Sequence, residues 1–153
     1  MSSANSTSAP TTLPGQACEL SLDDIKVGLE AACSWRAKSD SIDAFADLSG
    51  DLNPLHMDET YARDQGYDGR VVHGFLLGAQ VSGLIGMVLP GRRCLLMEEK
   101  LAFPVPVYIG DEVVFRVEVE DVHHELAIVA LKVSAKKLNQ TVMRGRVTCK
   151  LLS

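Results

Sequence analysis

Six consecutive residues, Asp51-Leu52-Asn53-Pro54-Leu55-His56, gather a carboxylate, a carboxamide and an imidazole around one proline. Pro54 fixes its own φ and keeps Asn53 extended, so the span between Asp51 and His56 is stiff. A carboxylate and an imidazole held at one spot can share general acid–base work on a water or on a substrate proton. Asn53 is placed to orient the pair through side-chain bonds to the loop backbone. The same letters also make an ordinary turn, because Asp, Asn and Pro are all turn residues. Both readings stand at this point.

A second stretch, "VVHGFLLG", puts His73 and Gly74 at the start of an apolar run. The first N–H groups of a helix have no internal partner and carry partial positive charge. They can stabilise negative charge developing on a carbonyl oxygen. Gly74 has no side chain to obstruct that approach, although it would equally permit tight entry into a helix. His73 reads as a satisfied core histidine.

The elements that must position these residues are legible in outline. "SDSIDAFADLSG" (39–50) has Ser39 and Asp40 as N-cap candidates, apolar residues at helical spacing, and Gly50 where a helix would stop. Asp58 caps a further short helix that Gly66 ends. The block 69–91 is apolar on nearly all sides, as in a buried helix, with Gly74, Gly78, Ser82 and Gly86 forming a smooth stripe. Pro90-Gly91 ends it. "ACSWRAKS" alternates as a first strand. "RCLLMEEKLAFPVPV", "GDEVVFRVEVEDVHH", "ELAIVALKVSAKKL" and "QTVMRGRVTCKLL" read as antiparallel strands, with turns at His123-His124-Glu125 and Leu138-Asn139-Gln140. Pro104 and Pro106 belong at a strand edge or bulge. The expectation is an α+β domain over 19–153, one long helix wrapped by an antiparallel sheet, behind a disordered tail over 1–18. A sheet of this size leaves an edge or face for a twin subunit, so a homodimer is expected.

Composition narrows the function. The 153 residues are 46% hydrophobic with a net charge of −5, and no basic stripe or aromatic platform suits a nucleic acid. Cys18, Cys33, Cys94 and Cys149 are scattered, which favours free thiols over a metal cluster or a disulfide framework. The run 74–89 is too short and too interrupted to span a bilayer, and residues 1–16 lack the pattern of a signal peptide. A cytoplasmic location is expected, with the mitochondrial matrix as the alternative.

The stretch 45–62 resembles the hydratase-2 motif of the (R)-specific enoyl-CoA hydratases, the MaoC-like dehydratases of hot-dog fold. Phe45, Ser49, Gly50, Asp51, Asn53, Pro54, Leu55, His56 and Ala62 all fit it. The likeness extends from about Gly28 to Leu152 and includes "VVHGFLLGAQVSGLIG" and "FPVPVYIGDEV". The resemblance implies addition of water to a trans-2-enoyl thioester, carried on CoA or an acyl carrier protein, with no metal or redox cofactor. It implies catalysis by Asp51 and His56, support from Asn53, a bond from Ser82 to the catalytic Asp, and an oxyanion hole at the Gly74 N–H. In this reading Asp51 takes the proton of water and His56 delivers one to C2. Val81, Leu84 and Ile85, with Leu89, are the candidates to line an acyl tunnel. A thioesterase on the same fold and a non-catalytic thioester-binding module are the rival readings.

Overall fold

The structure is a computed structural model, and it describes residues 12–153. Five strands form one antiparallel sheet: β1 (Glu30–Arg36), β2 (Cys94–Ala102), β3 (Glu112–His123), β4 (Ile128–Lys137) and β5 (Gln140–Leu151). Their order is β1-β3-β4-β5-β2, so β1 and β2 are the edges. Four helices precede β2: α1 (Ser39–Ser49), α2 (Pro54–Met57), α3 (Glu59–Asp64) and α4 (Gly74–Met87).

The sheet forms where apolar and polar residues alternate. Val113, Phe115, Val117 and Val119 of β3 turn inward, as do Val129, Leu131, Val133 and Ala135 of β4. Leu76, Leu77, Val81, Leu84 and Ile85 of α4 pack onto that inner face. The fold is the α+β hot-dog arrangement, a central helix wrapped by a sheet.

Several boundaries differ from expectation for local reasons. The N-cap of α1 is Lys38 without a side-chain cap, and Ser39 is already helical. Gly50 does end α1, in the left-handed region at φ 75°, where its N–H bonds the Ala46 carbonyl. β2 stops at Ala102, so Pro104 and Pro106 lie outside the strands; a residue without N–H cannot continue the ladder. The β3–β4 turn occupies 124–127, and Leu138-Asn139 alone joins β4 to β5.

α4 departs most from the sequence reading. In one chain the sheet covers only one of its sides, and Phe75 is 83% exposed, with Ala79 and Ser82 open on the same face. Leu95, Leu96 and Met97 of edge strand β2 are also exposed.

Residues 1–11 of the expected tail lie outside the described residues. Cys18 is held to the end of α4: its N–H donates to the Met87 carbonyl at 2.8 Å and its carbonyl accepts from Arg92 N–H at 2.9 Å. Cys18, Cys33, Cys94 and Cys149 are free thiols. No helix among the described residues is long and apolar enough to cross a membrane.

Candidate active site

The loop after α1 is built from its own side chains. Ser49 Oγ donates to the Phe45 carbonyl at 2.6 Å and accepts from Asp51 N–H at 3.2 Å. Asp51 Oδ1 accepts from Asn53 N–H at 3.2 Å. Asn53 caps α2, its Oδ1 accepting from Leu55 N–H at 2.9 Å, and Pro54 takes the first helical position, where no N–H is needed. His56 therefore sits on a one-turn helix rather than on an open loop.

Arg70 fixes that turn from the far side. Its Nε donates to the His56 carbonyl at 2.6 Å, and its Nη2 pairs with Asp43 of α1. His56 Nδ1 lies 2.7 Å from the Val71 carbonyl, which can only accept. The ring hydrogen is thus on Nδ1, and Nε2 is a bare acceptor. That Nε2 stands 4.0 Å from Asp51 Oδ2.

Burial pushes His56 below the ordinary imidazole value of 6.5, the Val71 carbonyl and Asp51 oppose that shift, and His73 and Arg70 add to it. The sign follows from linkage. The fold favours the neutral ring, so between the two values the unfolded chain binds more protons. This contribution to stability is complete above about pH 6.5 and drains away as pH falls through the lower folded value. A His56→Gln variant should lose less of its melting temperature than the parent when pH is lowered from about 7.5 to about 5.5. Calorimetry at the two pH values checks this, and equal losses would contradict it.

His73, expected as a satisfied core histidine, is only half satisfied. It is 1% exposed. Its Nε2 lies 3.0 Å from the Asp51 carbonyl, while its Nδ1 is buried without a partner. Its ring stacks on His56 with centroids 3.8 Å apart and 28° between planes, and Phe45 flanks it at 5.0 Å. No local signal announces this, because the contact joins residues on separate elements.

Asp51, His56 and His73 each offer an atom within 4.8 Å of the others. Metal coordination needs lone pairs that converge on one point. Stacked imidazoles send theirs side by side, and the Nε2 hydrogen of His73 is engaged by a carbonyl. The arrangement suits proton transfer better than metal ligation.

Beside this group is a cleft of about 380 Å³ lined by Leu55, His56, Tyr67, Gly74, Leu77 and Phe103, among others. The Gly74 N–H, at the start of α4, has no backbone acceptor among the described residues. A Cβ on Gly74 would lie 3.2 Å from the Phe103 ring. Val81, Leu84 and Ile85 do not line this cleft. They are 0, 0 and 3% exposed and belong to the core, as does Leu89, because they occupy the α4 face that the sheet covers. Ser82 is exposed and makes no hydrogen bond to Asp51 among the described residues. It stands nine positions beyond His73, about 13 Å along the helix axis.

Residues 13–142 match the family model described as MaoC like domain. The chain belongs to the MaoC-like dehydratase family. An (R)-specific enoyl-CoA hydratase of Aeromonas caviae is 38% identical over 112 residues, covering 73% of this chain and 84% of that protein. A 3-hydroxybutyryl-CoA dehydratase of Methylorubrum extorquens is 30% identical, covering 86% and 84%. Among solved structures, the (R)-hydratase of A. caviae involved in PHA biosynthesis superposes with TM-score 0.80 at 35% identity, covering 83% of this chain and 97% of that one. In this MaoC-like chain Leu55 and His56 of the hydratase-2 motif line the cleft together with Val71 and Phe103, and Asp51 stands beside His56.

Proposed function

We propose that this chain catalyses the reversible hydration of trans-2-enoyl thioesters to (R)-3-hydroxyacyl thioesters, as a hydro-lyase whose substrate rides on CoA or an acyl carrier protein. The carrying observation is the pair of acceptors, Asp51 Oδ2 and His56 Nε2, 4.0 Å apart beside a cleft that Gly74 also lines. One water at about 2.8 Å from each would donate its two hydrogens at an angle of about 90°, leaving a lone pair free. That water is ready to add to C3.

The thioester carbonyl would accept from the Gly74 N–H, which steadies the enolate formed as water adds. The ring N–H of His56 is engaged by Val71, so His56 can deliver only a proton that it has first accepted. This favours a sequence in which Nε2 takes the proton of water as the C3–O bond forms and then passes it to C2. The second hydrogen stays on the new hydroxyl, hydrogen-bonded to Asp51, whose carboxylate offsets the imidazolium charge. Asn53 supports the pair by fixing the turn that carries His56. The expectation from sequence gave the first proton to Asp51; the tautomer of His56 supports the other order.

The open face of α4 and the exposed edge strand β2 support a homodimer. Phe75→Asp places a charge in the centre of that face, and sedimentation should show dimer giving way to monomer. An unchanged dimer would move the interface elsewhere. The reaction itself is tested with crotonyl-CoA, by loss of the enoyl absorbance. Release of free CoA without that loss would support the thioesterase reading.

A further inference from the structure

The reaction as drawn gives no part to His73, yet His73 is the most deeply buried polar side chain beside it. Packing does not account for a histidine there. A Phe or Leu would fill the space without leaving Nδ1 buried and unpaired, which is unfavourable. The ring has two specific contacts instead. Its Nε2 donates across 22 residues of sequence to the Asp51 carbonyl at 3.0 Å, and its face lies against His56 at 3.8 Å between centroids.

His73 is also the residue immediately before Gly74, at the N-cap of α4. The bond to Asp51 therefore joins two separate parts of the site. On one side is the proposed acid–base pair, Asp51 and His56; on the other is the start of α4, where Gly74 lines the cleft. Ser49 Oγ holds the Asp51 N–H and Asn53 N–H holds its carboxylate, but the Asp51 carbonyl has no backbone donor among the described residues, which leaves it to His73. We propose that His73 is a positioning residue: its Nε2–H tethers the Asp51 carbonyl to the start of α4, and its ring face sets the plane of His56. His73 thereby ties Asp51 to the start of α4, alongside the bonds of Arg70 and Val71 that hold His56.

The activity arm of the test rests on the hydratase reading, and the spectroscopic arm does not. His73→Phe keeps a flat buried ring and removes the donor. It should lower kcat for crotonyl-CoA by about thirtyfold to a hundredfold with KM changed less than about twofold, as expected from a small misplacement of reacting groups. His73→Gln restores a donor and should recover about tenfold of that loss. In the parent protein, long-range proton–nitrogen NMR of the imidazoles should find the His73 hydrogen on Nε2 and Nδ1 bare. A His73→Phe enzyme with parental kcat would overturn the proposal, and so would a hydrogen on Nδ1. A Gln variant no better than Phe would remove the tether from the account. If the parent protein does not hydrate crotonyl-CoA, the reaction reading fails, and the tautomer still decides whether the tether exists.

Discussion

Asp51→Asn and His56→Ala should each lower the hydration of crotonyl-CoA by about a thousandfold, the middle of the range for losing one acid–base partner. Asn at 51 keeps an oxygen that can accept from Asn53 N–H, so the turn survives. What it loses is the carboxylate charge and one acceptor facing the water. Ala at 56 removes the Nε2 acceptor together with the Nδ1–H that holds Val71. The double variant should be little worse than either single one, because the two groups act on one water. Stopped assays with crotonyl-CoA and a longer enoyl-CoA, alongside circular dichroism to confirm folding, check this. Single variants that hydrate at the parental rate would sink the assignment of the pair.

The largest expected effect on stability lies in the sheet. A Cβ on Gly145 would fall 1.9 Å from the Lys100 carbonyl oxygen and 2.9 Å from its carbon. These are backbone atoms of β2, the strand paired with β5 at Leu101–Gly145. No rotamer can relieve a clash of Cβ with a neighbouring backbone, so β2 must move. Gly145→Val should cost about 3 kcal/mol or more. In a chain of this length that lowers Tm by roughly 6–12 °C. Because β2 leads directly into Phe103, which lines the cleft, activity should fall before the protein unfolds. Thermal melts monitored by circular dichroism check the shift, and a change under about 2 °C would mean that the strand pair gives way easily.

Local chemistry made some of this legible in advance. Gly50 ends α1 because a residue without Cβ tolerates φ 75°. Asp58 caps α3 through Tyr61 N–H as its side chain type suggests. Alternation along 112–137 gave two strands with the correct inward face. The same kind of reasoning missed the one-turn helix at Pro54–Met57, although Asn53 followed by Pro54 is an N-cap followed by a first helical residue. It also took α4 as buried all round. Hydrophobicity on every side says that every side avoids water, and it does not say whether the cover comes from the same chain. Val81, Leu84 and Ile85 were named for a tunnel because they are apolar and on the central helix, which is equally the description of core residues.

From the sequence alone came the residue types at fixed short spacing: Asp51, Asn53, Pro54 and His56, the stiff turn they make, and Gly74 at a helix start. These depend on backbone geometry over a few residues. The tertiary structure decided what those residues can do. The Val71 carbonyl, 15 positions from His56, sets its tautomer and leaves Nε2 bare. Arg70 locks the turn to α1. His73 joins the loop to α4, and Phe103 arrives from the end of β2 to close the cleft. Each of these contacts joins distant points of the chain, and its geometry follows from how helices and sheet pack, which no short window of sequence contains.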